Sequence, residues 1–233
     1  MIPFRDYKNL YISFVKLRRI IGFIAILLPL ILVMGSVIVS DCEHIQNSIS
    51  HYYFTSMGVV FVAALSGISV LLITYRGYDR NDNITSSLAA FFLMGLVLFP
   101  THQNHDLTCA KVFLKENSLR VGIHYTSAGL FFLTVSYMIY FQFTKVNTII
   151  TSQKLVRNRI FRICARIIVC SMLLVGIILS IPFLTHLLKP FKPVFWLEWI
   201  ALIAFGFAWL VKGKMFFNDK RPKIYISSNL LDK

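Results

Sequence analysis

The chain has 233 residues, 57% of them hydrophobic, a mean hydropathy of +0.69 and a formal net charge of +14. A soluble domain averages about 45–50% apolar residues and has no use for repeated apolar runs of about 20 residues, the length that crosses a hydrocarbon layer of about 30 Å. The basic residues fall between those runs, with no basic–aromatic stripe of the single-strand-binding kind, which argues against nucleic acid as a partner.

Residues 1–19 form a basic leader. Phe4, Tyr7, Leu10, Tyr11 and Phe14 recur at helical spacing, and Arg5, Lys8, Lys16 and Arg19 share another face. The pattern suits a helix lying in the cytoplasmic interface, or equally a disordered leader. The run Ile20–Ser40 reads as a first span. It is too long for a signal-peptide core, and no small-residue cleavage site follows it. Further spans are expected over Ser56–Tyr75 (entered from Ser48 or Ser50 as a cap), Ile84–Thr101, Val121–Phe143, Ile167–Leu188 and Val194–Val211. Pro182 should kink the fifth span. The linker Lys189–Pro193 makes the last two helices an antiparallel hairpin. The expected fold is all-α: a polytopic bundle of six transmembrane helices over residues 20–211, with a basic tail over 212–233.

Lysine and arginine counts give the bundle a direction. The leader, the Arg76–Ser86 loop, the Thr144–Arg166 segment and the tail together hold 19, and the opposite side holds 5. The positive-inside rule then places both termini in the cytoplasm, as an even number of spans requires. Arg157, Arg159, Arg162 and Arg166 should anchor the fifth helix, with a lipid headgroup site there as the alternative. The turn from Tyr75 to Asp82 reads as structural. Gly77 permits a positive φ, and Asp79 or Asp82 can cap the next helix.

This direction sorts the chemically informative residues. His44, His51, His102, His105, His124 and His186 all fall at the outer side, with Asp41, Glu43 and Asp106. Cys42 and Cys109 share that side and could form a disulfide, which a Cα separation above about 7 Å would exclude. Cys164 and Cys170 read as inert core thiols. Glu198 lies about five residues, roughly 7 Å, inside the outer end of the last span, flanked by Trp196 and Trp199. It either pairs with Arg120, Lys192 or His124, or lines a polar cavity. His51, His124 and Glu198 are the best-placed candidates for a zinc site or for catalysis, because helix ends position ligands better than loops do.

Several runs together resemble a family of bacterial six-helix integral membrane proteins, a domain of unknown function loosely like the DRAM and Frag proteins. The matching runs are SISHYYFT at 48–55, YRGYDRND at 75–82, LFPT at 98–101, the stretch from His124 to Thr134, RNRIFRIC at 157–164 and FWLEWIALIAFGFAWLVKG at 195–213. The resemblance implies six helices and a bacterial inner membrane, and it draws attention to Glu198, His124 and the Lys212–Gly213 pair. It implies no reaction. A more distant comparison is with alkaline ceramidase-type membrane hydrolases, which carry a Ser-x3-His pair and a His-x3-His in the last helix. Here Ser48 and His51 are separated by two residues and the last helix has no histidine.

Three functions compete. The first is non-catalytic binding of membrane lipid, or of a membrane-protein partner, within the bilayer. The second is a metal-dependent lipid hydrolase or transferase with an outward-facing His/Glu site, Glu198 acting as ligand or general base. The third is a small transporter, for which Glu198 and Pro182 speak.

Overall fold

The computed structural model describes residues 4–40, 42, 44–103, 109–145 and 151–218, with side chains from residue 14 onward except at Ser40. His105, Asp106, Asp41, Glu43 and most of the basic tail therefore lie outside the described residues. Within them every regular element is helical. The helices are α1 (Phe4–Ser40), α2 (Gly58–Thr74), α3 (Arg80–Leu98), α4 (Ser118–Tyr137), α5 (Ser152–Ser180), the short α6 (Pro182–Leu188) and α7 (Pro193–Lys212). A 3-10 turn, Ile49–Phe54, precedes α2, and a π-helical turn, Met138–Gln142, extends α4.

The six long helices form a closed ring. α1 packs against α2 and α7, α2 against α3, α3 against α4, α4 against α5, and α5 against α7. Chain neighbours are thus spatial neighbours, and α7 closes the ring onto α1. An aromatic column fills the centre. Phe131 and Phe205 meet at 5.9 Å, and Trp209 lies edge-on to Tyr75 at 5.1 Å and to Phe143 at 5.2 Å. These side chains are almost fully buried. Ring closure depends on small residues. A Cβ added to Gly22 of α1 would sit 2.7 Å from the Gly206 carbonyl oxygen of α7, and one added to Gly206 would sit 2.6 Å from that of Gly22. Close backbone approach of this kind drives helix association where lipid removes the hydrophobic incentive.

Large apolar side chains also cover the outside of every ring helix, among them Ile38, Val59, Phe91, Leu133, Leu173 and Ile203. A soluble bundle would place charged residues there. Four helical stretches are long and apolar enough to cross a membrane: Phe14–Val39, Arg80–Leu98, Ser152–Ser180 and Pro193–Lys212. The other two expected spans do not meet that standard. α2 has only 17 residues, because the 3-10 turn replaces its expected first turns, and α4 carries Arg120, His124 and several hydroxyl residues.

The boundaries differ from the sequence reading in places. No break separates the leader from the first span: Phe4–Ser40 is one 37-residue helix, since no capping or breaking residue lies between, and Pro29 is accommodated within it. Pro182 ends α5 instead of kinking it, and occupies the first turn of α6, where its missing amide costs nothing. α5 starts 15 residues earlier than expected, so its arginines lie on helix; Thr151 caps it by accepting from the Lys154 amide at 3.1 Å. Ser48 caps the 3-10 turn, not α2, whose N-cap is Met57. Asp79 does cap α3, accepting from the Asp82 amide at 3.0 Å. Gly77 has a negative φ. Its need for glycine is steric, because an added Cβ would lie 2.2 Å from the Asp82 Cβ. Cys164 is buried as expected, but Cys170 is exposed.

Candidate functional site

The histidine-rich end of the ring is covered by a plug built from residues 42, 44–57 and 109–112. Cys42 and Cys109 are disulfide-bonded, with Cα atoms 5.2 Å apart, and both are buried. The amides of Lys111 and Val112 donate to the Phe54 carbonyl at 2.7 and 3.2 Å, which pins the second segment of the plug to the end of the 3-10 turn.

One face of the first turns of α7 grips the other part of the plug. The Lys192 ammonium donates to the Ile45 carbonyl. The Phe195 amide donates to the Asn47 carbonyl at 3.1 Å. Glu198 Oε2 accepts from the Ile49 amide at 2.6 Å. Positions 192, 195 and 198 recur every three residues at the start of α7, and their partners 45, 47 and 49 lie two apart in the segment that leads into the 3-10 turn. The Ser50 amide also lies near this carboxylate. The donor to Glu198 is therefore a backbone group at the start of a helical turn, which a carboxylate satisfies well. The sequence leaves Glu198 either pairing with Arg120, Lys192 or His124 or lining a polar cavity; the fold has it cap the 3-10 turn from another helix.

The imidazoles gather on the other flank of that turn. His51 is buried, with Nδ1 2.5 Å from Ser48 Oγ. Its Nε2 is buried without a hydrogen-bond partner among the described residues. The His102 ring lies edge-on to it, centroids 5.0 Å apart. Tyr125 Oη is 2.9 Å from His102 Nδ1. His124 Nδ1 meets the Phe99 carbonyl at 2.9 Å, so its ring helps satisfy the carbonyls that end α3. Burial pushes the His51 imidazole down to a pKa of about 3, and nearby His102 and His124 push the same way. His51 is therefore neutral at physiological pH.

The structure thus brings His51, His102, His124 and Tyr125 together and gives Glu198 a separate bracing task. Among the described residues, no group of three His, Cys, Asp or Glu side chains is arranged to hold a metal ion. Tyr125 went unnoticed in the sequence, although it directly follows His124; only the fold shows that it reaches His102. His44 is exposed, and His186 lies in α6 away from the buried residues.

A second feature lies beside this cluster. The halves of α3 and α4 nearest the plug enclose a lateral apolar groove of about 590 Å³, lined by Phe91, Leu98, Leu119, Gly122, Ile123 and Leu130 among others. Its polar contributors are the hydroxyls of Ser118, Thr126 and Ser127. Gly122 leaves it open, with nothing within 4 Å of an added Cβ. Gly95 lets the helices meet beneath it, since a Cβ there would lie 2.5 Å from Ser127 Oγ.

These features define an all-helical protein with several helices able to cross a membrane and a plugged, histidine-rich end. Comparison of the chain with protein-family models, with curated proteins and with solved structures finds no match.

Proposed function

We propose that this is a six-span, non-catalytic membrane protein that binds lipid, taking an acyl chain into the groove between α3 and α4. The groove carries the reading. It is apolar, opens laterally and has a volume in the range of small-molecule sites. The dedication of Glu198 to the plug supports it as well, because this carboxylate is the main candidate for chemistry. In this reading α2 and α4 also cross the bilayer, since both belong to the closed ring. The 19-to-5 distribution of Lys and Arg puts both termini in the cytoplasm and the plug outside. The resemblance to bacterial six-helix proteins points to a bacterial inner membrane.

The test is to purify wild-type protein and a Gly122→Phe variant in mild detergent and to identify co-purifying lipids by native mass spectrometry. Gly122→Phe fills open space and should fold normally. Retained lipid in the wild type that is lost in the variant is the expected result. Equal lipid retention in both would remove the groove as the site.

One observation favours the hydrolase reading: the orphaned Nε2 of buried His51, next to His102 and Tyr125. Zinc bound stoichiometrically to purified protein, and lost in His51→Gln, would favour it over lipid binding.

A further inference from the structure

The lipid-binding reading of the groove between α3 and α4 can be carried one step further, to the kind of chain that fits it. The α4 wall holds two adjacent hydroxyl residues, Thr126 and Ser127. Ser127 is only 8% exposed, and its Oγ points at Gly95 of the α3 wall, 2.5 Å from where an added Cβ would stand. A hydroxyl on a membrane helix commonly turns back to a carbonyl of the preceding turn. Thr134, further along α4, does so, donating to the Leu130 carbonyl at 2.6 Å, and Thr144 donates to that of Tyr140 at 2.8 Å. Thr126 and Ser127 make no such bond, and no other side-chain hydrogen bond among the described residues.

Depth makes the pair informative. Leu98 and Ser118 are the helix ends at which the groove begins, and the polar run Lys115-Glu116-Asn117 directly precedes Ser118. Thr126 and Ser127 lie about 12–14 Å further along α4. Half of a hydrocarbon layer is about 15 Å thick. Water is excluded at that depth, and an unpartnered hydroxyl there costs free energy. The phosphate and ester oxygens of an ordinary lipid stay at the interface, so its chain offers these hydroxyls only methylene groups. An oxygen placed deep along the chain can take a hydrogen bond from either of them and brings no charge into the bilayer. Phe91, Phe92 and Leu130 give the rest of the chain an apolar bed.

We propose that the groove selects an acyl chain carrying a hydroxyl or keto oxygen far from its carboxyl end, and that Thr126 and Ser127 recognise that oxygen. The proposal rests on the groove being the lipid site.

The experiment titrates the full chain in mild detergent with stearic acid, 2-hydroxystearic acid and 12-hydroxystearic acid separately, and reads bound ligand by native mass spectrometry. The two hydroxy acids have the same composition and differ in the depth of the oxygen. The 12-hydroxy acid should bind about threefold to tenfold more tightly than the 2-hydroxy acid, the worth of one neutral hydrogen bond. In Thr126→Val/Ser127→Ala that preference should fall below about twofold, and in Thr134→Val, whose hydroxyl is bonded within its own helix, it should persist. If the double variant fails to fold, exposed Thr126→Val alone carries the test with the same direction. No preference for the 12-hydroxy acid, a preference that survives in the double variant, or an equal loss in Thr134→Val would overturn the proposal. Equal binding of all three acids that is abolished by Gly122→Phe would overturn it while leaving the groove as the lipid site. Binding that Gly122→Phe does not reduce, or no binding of any acid, would overturn both.

Discussion

The Glu198 carboxylate and the Ile49 amide meet at 2.6 Å, although 149 positions separate them in the chain. The bond joins the start of α7 to the start of the 3-10 turn and completes the three-rung grip on the plug. It follows that Glu198→Ala should destabilise the protein by about 1.5–3 kcal/mol, the range for a hydrogen bond to a charged group. Glu198→Gln keeps an acceptor oxygen and should cost about half as much. Thermal unfolding in detergent measures the loss, and hydrogen exchange should quicken at Ile49. Unchanged exchange at Ile49 in Glu198→Ala would show that the bond does not hold the turn.

Gly22 and Gly206 present each other no room for a side chain. Gly206→Ala should force α1 and α7 apart and cost about 1–3 kcal/mol, as overpacking generally does. Gly67→Ala is the control, since nothing lies within 4 Å of its added Cβ. Equal melting temperatures for Gly206→Ala and Gly67→Ala would contradict the close crossing.

His51 makes stability depend on pH, and the sign is fixed by its neutral state. Burial holds its pKa at about 3 against an ordinary value of 6.5. Below pH 6.5 the unfolded chain binds a proton that the folded chain refuses, so stability falls as pH falls toward 3. The loss between pH 7.5 and 5 should be about 2 kcal/mol. A pH series of melting temperatures should show a shallower slope in His51→Gln than in the wild type. Parallel slopes would mean that His51 is not shielded from protons.

The Cys42–Cys109 bridge spans 67 positions and ties the two segments of the plug. Loop-closure entropy for a loop of that size is worth up to about 4 kcal/mol. Cys42→Ser should lower the melting temperature, and a reducing agent should lower that of the wild type but not of the variant. A wild-type melting temperature insensitive to reduction would show that the bridge adds nothing to stability.

The sequence by itself determined the helical class, the apolar run lengths, Asp79 and Asp82 as the two candidate caps of α3, and the separation of a basic end from a histidine-rich one. These depend on residue type and local spacing, which are additive along the chain. It also named Cys42 and Cys109 as a candidate pair, but not the buried plug they tie. Pro182 shows the limit of local reading: kink and helix break share one residue, and only the surrounding backbone chooses between them. The same holds for Phe4–Ser40, where a compositional boundary near residue 19 is no boundary of the helix.

Tertiary structure alone decided what Glu198 does. An intramembrane carboxylate with flanking tryptophans fits an ion pair, a metal ligand or a cap equally well until its donor is known. That donor is a backbone amide, which leaves no trace in the sequence because every residue but proline has one. Likewise, the Gly22–Gly206 contact, the place of Thr126 and Ser127 in the groove wall, and the reach of Tyr125 to His102 all depend on how helices are rotated against each other. Rotation is set by packing around the whole closed ring, and no single segment encodes it.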